Sequence, residues 1–116
     1  MQKIEKWRIQ ELTQVLNQLA ALLREGNNRE WASVFNHFAQ EAHAIVQSVQ
    51  FDFEGLKRLV KNMRSCFEGA STLHSLVLSE DNSKRMEALN QEFTRIKGLL
   101  FILLSDMEKK WIEPIN

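Results

Sequence analysis

At 116 residues the chain is the size of one domain, residues 1–116, long enough to bury a core without metal or disulfide staples. Hydrophobic residues at 44% and charged residues at 26% exclude intrinsic disorder. Fifteen basic residues balance fifteen acidic ones, so no overall field draws the protein to nucleic acid or to an acidic membrane surface.

A single cysteine, Cys66, has no partner for an internal disulfide, which fits a reducing compartment. The opening stretch Met1–Arg8 lacks the continuous apolar region of a secretion signal. The apolar run Leu99–Leu104 falls far short of the roughly 20 residues that a membrane span requires. A cytoplasmic protein with no membrane segment is therefore expected. Strand-like alternation is absent throughout, and the only proline, Pro114, follows the last apolar stripe. These features predict an all-α fold.

The first segment runs from about Ile4 to Glu25. Ile9, Leu12, Val15, Leu16, Leu19, Leu22 and Leu23 recur at steps of three and four, forming one apolar helix face. Gly26-Asn27-Asn28 supplies a stop and a new N-cap. Trp7 falls off the stripe. It either folds over the open end of the bundle, the reading favoured here, or stands half exposed as an anchor for a partner.

The second segment, about Arg29 to Val49, places Trp31, Val34, Phe35, Phe38, Ala42, Ile45, Val46 and Val49 on one face. The short joint before it makes it an antiparallel neighbour of the first. A third segment starts near Asp52, an N-cap residue, and carries Phe53, Leu56, Leu59, Val60 and Met63 inward. Its outer side holds Lys57, Arg58, Lys61 and Arg64. Such a cluster can meet phosphate. However, Glu54 precedes Lys57 and Arg58 by three and four residues, the favourable order for helix ion pairs, and no aromatics interleave to stack bases. A solvated face is preferred to a nucleic-acid site.

Helical periodicity breaks down after Arg64. Small and hydroxyl residues around Gly69 predict a turn, and Thr72–Leu78 a short extra helix with Leu73, Leu76 and Val77 inward. Ser79–Ser83 reads as an acidic loop. The last segment, about Ser83 to Trp111, is the central one. Met86, Leu89, Phe93, Ile96, Leu100, Leu103, Leu104, Met107 and Trp111 share a face, while Ile102 points almost directly away with Leu99 and Phe101 on its flanks. Thr94, Gly98 and Ser105 lie on the Ile102 side and admit a close neighbour, for which the 67–78 stretch is the first candidate. Asn90 is either a satisfied buried amide, bonded near Gly69, or a half-exposed flank residue.

The residues that carry chemistry form no constellation. His37, His43 and His74 are scattered, without metal-ligand spacing. Cys66 and His74 could pair as nucleophile and base, but a lone cysteine beside Phe67 is better read as a small buried hydrophobe. The chain is expected not to be an enzyme and to carry no cofactor and no metal.

The stretch Phe67-Glu68-Gly69-Ala70-Ser71-Thr72-Leu73-His74-Ser75-Leu76-Val77-Leu78, with Asn82, Leu89-Asn90 and Phe93 after it, resembles a family of small, largely uncharacterised bacterial helical proteins. Leu22-Leu23, Asn27-Asn28 and Trp31-Ala32 are similar too. The family pattern has a second glycine where this chain has Ala70-Ser71, and an Asn-Asp pair where it has His74-Ser75. The family is thought to include immunity proteins of polymorphic or contact-dependent toxin systems. The resemblance implies a protein-binding module whose partner is a cognate protein toxin, neutralised by occlusion in a heterodimer. Against a basic toxin, Glu68, Glu80 and Asp81 would supply acidic contacts and Ser71, Thr72, His74 and Trp111 the rest of the patch. The alternative is a structural homodimer or adaptor subunit with Phe101, Ile102 and Trp111 at its interface. In either case the expected architecture is an up-and-down bundle of four main helices, with a short extra helix in the connection before the last one.

Overall fold

The computed structural model describes residues 6–26, 28–50, 52–66 and 84–112; the side chains at positions 86 and 110–112 lie outside the described set. The expected extra helix at Thr72–Leu78 also lies outside it. The four main helices are present: α1 Lys6–Glu25, α2 Arg29–Gln47, α3 Phe53–Ser65 and α4 Lys84–Ile112. No strand occurs among the described residues, and the helices pack as an all-α bundle.

α1 ends where the sequence supplies a break. The Gly26 N–H donates to the Leu22 carbonyl at 2.9 Å, and the Asn28 N–H reaches back to the Leu23 carbonyl at 2.8 Å. The second bond is the six-residue closure that satisfies otherwise orphaned helix-end carbonyls. Asn28 then opens α2, its side-chain Oδ1 accepting from the Trp31 N–H at 3.4 Å. A joint this short turns α2 back along α1, and these two helices share the most extensive packing among the described residues. α2 stops two residues before the predicted end. Ser48 adopts extended backbone with its hydroxyl 2.8 Å from the Ile45 carbonyl, so Val49 leaves the helix and is fully exposed. Val34, at the edge of the stripe, is also exposed. Asp52 caps α3 as expected, Oδ1 accepting from the Gly55 N–H at 2.9 Å.

The core joins Ile9, Leu12, Leu16, Leu19 and Leu23 of α1 to Phe35 of α2, to Leu56, Leu59 and Met63 of α3, and to Phe93, Ile96, Leu100 and Leu104 of α4. Trp31 packs half-buried against it, its ring centroid 6.1 Å from Phe35, and Phe35 meets Phe38 edge-on at 5.5 Å. Ala32 and Ala39 of α2 are buried as well.

Side-chain links set the direction of the remaining helices. Arg8, near the start of α1, stands 3.8 Å from Asp106 late in α4, so these helices run antiparallel. α3 begins beside the last turns of α2 and ends at Arg64, which pairs with Glu108. Both ends of α3 therefore lie at the same end of the bundle, and its 13 residues cross from α2 to α4 there. At 29 residues α4 is much the longest helix, about 43 Å at 1.5 Å per residue.

Candidate functional site

Most of the patch implied by the resemblance, namely Glu68, Ser71, Thr72, His74, Glu80 and Asp81, lies outside the described residues. Trp111 is in the final turn of α4, and its side chain is likewise outside the described set. What can be built from the residues upward is the outer face of α4 and the end of the bundle closed by α3.

On α4 the inward stripe is satisfied: Phe93, Ile96, Leu100, Leu103, Leu104 and Met107 are buried. The residues between them are not. Ile102 is 59% exposed, Leu99 39% and Phe101 38%. Leu99 and Ile102, three apart, are neighbours on the helix surface. Phe101 lies on the other flank of Ile102, toward α3, where the Arg64 guanidinium covers its ring at 4.7 Å. Beside Ile102, Gly98 is open: no described atom lies within 4 Å of where a Cβ would stand. The close neighbour expected at Gly98 is thus absent among the described residues. Asn90 is half-buried, and the Gly69 partner suggested for it is outside the described set. An apolar turn flanked by a small residue and rimmed by charge is a surface on which a protein partner can be seated.

Trp7 does not fold over the core. It remains 53% exposed, with the Arg8 guanidinium 4.7 Å over its ring. Arg8 is pinned between Trp7 and Asp106, and its Nε is buried without a hydrogen-bond partner among the described residues.

The third feature is an open groove of about 600 Å³ where α3 crosses toward α4. Lys57, Arg58, Lys61 and Arg64 line it, with Val60 as its apolar floor and Glu54 and Glu108 at its margins. Arg64 is committed, its Nε donating to Glu108 Oε1 at 2.6 Å. Lys57 lies 5.5 Å over the Phe53 ring. Lys57, Arg58 and Lys61 have no ion pair among the described residues. The four cations were legible in the sequence, whereas the groove that gathers them is a product of tertiary packing.

Groups suited to catalysis are not assembled among the described residues. Cys66 is half-buried, its Sγ 3.6 Å from the Asn62 carbonyl, and burial pushes its thiol above the ordinary range, the opposite of an activated nucleophile. His37 pairs with Glu41 on the α2 surface at 2.8 Å. No described group of three or more His, Cys, Asp or Glu side chains is placed to hold a metal ion. No helix of the described residues is long and apolar enough to cross a membrane. The chain matches no protein-family model, and no curated protein or solved structure matches it.

Proposed function

We propose that this chain is a protein-binding module, and specifically an immunity protein that binds and neutralises a cognate bacterial toxin by occlusion in the cytoplasm. The observation that carries the binding role is the exposure of three large apolar side chains, Leu99, Phe101 and Ile102, on a helix whose inward apolar stripe is already buried. Large apolar side chains in water at adjacent helix positions are costly to solubility and are the usual centre of an interface. The toxin as partner rests on the family likeness of the Phe67–Leu78 stretch. Occlusion needs a stiff scaffold and a few anchors, with no catalytic group, metal or cofactor. The experiment is growth of a test bacterium expressing the product of the neighbouring gene, with and without this protein. Relief of toxicity supports the reading; a harmless neighbour, or killing that this protein leaves untouched, counts against it.

The same apolar turn favours a second reading, a structural homodimer or adaptor in which Ile102 and Phe101 meet a second copy. Sedimentation at micromolar concentration separates the two, because a tight self-dimer would hide the turn from any other partner.

A further inference from the structure

We propose that the groove between α3 and the end of α4 is a docking site for a short acidic segment of a protein partner, carrying two or three carboxylates within four or five extended residues. The proposal does not depend on the partner being a toxin.

Charge is the first argument. Lys57, Arg58 and Lys61 stand at positions i, i+1 and i+4 of one helix and converge on the groove without ion-pair partners among the described residues. Three cations so close together repel one another, and an incoming carboxylate pair relieves that repulsion. Arg64 differs from them. Its guanidinium is tied to Glu108 and laid over Phe101, so it forms a fixed wall at the C-terminal end.

Shape is the second. From Glu54 to Arg64 the helix advances about 15 Å at 1.5 Å per residue. An extended segment of four or five residues, at about 3.3 Å each, covers that length. Val60 and the alkyl stems of the lysines give it an apolar floor, so alternate side chains can face carboxylates to the cations and apolar groups to the floor.

The same residues disfavour a nucleic acid. A phosphate backbone continues past the groove at both ends, where Glu54 and Glu108 would oppose it. The chain as a whole is neutral, and among the described residues that line the groove none is an aromatic on which a base could stack.

The test is titration of ¹⁵N-labelled protein at low salt with a capped six-residue peptide alternating glutamate and leucine, beside a control peptide with glutamine for glutamate. The expected result is saturable amide shifts confined to residues 54–64 and 101–108, absent with the control. Affinity should fall at least tenfold in the double variant Lys57→Glu/Lys61→Glu, whose spectrum reports its own folding. Absence of saturable shifts, or equal binding of the control, overturns the proposal. Tighter binding of a 12-base-pair DNA to the same residues assigns the groove to nucleic acid instead. Shifts that emerge only in E80Q/D81N assign it to the chain's own acidic residues, and concentration-dependent shifts without peptide assign it to a second copy.

Discussion

Arg64 Nε donates to Glu108 Oε1 at 2.6 Å, a contact between residues 44 apart that ties the end of α3 to the end of α4. The same guanidinium lies 4.7 Å over Phe101, so one side chain holds two residues of α4. Direct packing between these two helices is sparse, which leaves Arg64 with a large share of the joint. The pair is only 30% and 26% exposed, so water screens it less than an ordinary surface ion pair.

Arg64→Ala is expected to cost about 1–2 kcal/mol in urea unfolding, combining the lost charge-assisted bond with the lost ring contact. Glu108→Gln keeps an acceptor and removes the charge, and should cost about half as much. Native-state hydrogen exchange should show α3 opening more readily than α1 in Arg64→Ala. Equal protection of α3 in both proteins would mean that the core contacts of Leu56, Leu59 and Met63 hold the helix alone.

Two glycines should answer to alanine in opposite ways. Gly98 is mid-helix with open space where a Cβ would stand, so Gly98→Ala should stabilise by about 0.5–1 kcal/mol through helix propensity alone. At Gly55 a Cβ would meet the Asp52 carboxylate, whose Cγ lies 2.7 Å away, and displace the N-cap. Losing that cap costs about 1 kcal/mol, as Asp52→Ala should show directly, so Gly55→Ala should be neutral or destabilising. Thermal melts of the three variants check the signs.

Lys97 packs its ammonium 4.8 Å over the Phe93 ring, and burial lowers its pKa below the ordinary lysine value. With the folded-state pKa below the unfolded one, the unfolded chain binds more protons between the two values, and stability rises with pH through that window. At neutral pH the ammonium is charged in both states, and its partial desolvation is offset in part by the Phe93 ring. Measured against Lys97→Met, which cannot titrate, the parent should therefore gain stability as pH climbs from 7 toward about 10.4. A difference between the two proteins that is flat from pH 7 to 10.5 in urea titrations contradicts this.

Much of this arrangement was legible in the residues, for identifiable reasons. The stripe in α4 follows a strict three-and-four spacing, and the same 100° rule that buries Leu100 and Leu104 turns Ile102 outward. Asp52 and Asn28 were readable as caps because their side chains act locally. Val49 was misread because periodicity continues past Gln47, whereas the Ser48 backbone turns extended. Ala32 and Ala39 carry too little hydrophobicity to register as core, yet both are buried in it. The Arg64–Glu108 tie and the groove beside it depend on α3 crossing the bundle end, which no local spacing encodes.

Ile102→Asp separates binding from folding. On an exposed helix face the substitution should change unfolding free energy by less than about 1 kcal/mol, against about 2–5 kcal/mol for Leu100→Ala in the core. A central interface anchor is worth about 2 kcal/mol or more, so affinity for the partner should fall roughly thirtyfold or further. Unchanged affinity would remove the Leu99–Ile102 turn from the interface.

The most direct measurement is light scattering on a sizing column, with the protein alone and mixed with the purified product of the neighbouring gene. The protein is expected to run as a 13.6 kDa monomer that becomes a one-to-one heterodimer in the mixture, a shift that Ile102→Asp abolishes. A self-dimer that ignores the second protein, or two peaks that never merge, would contradict it.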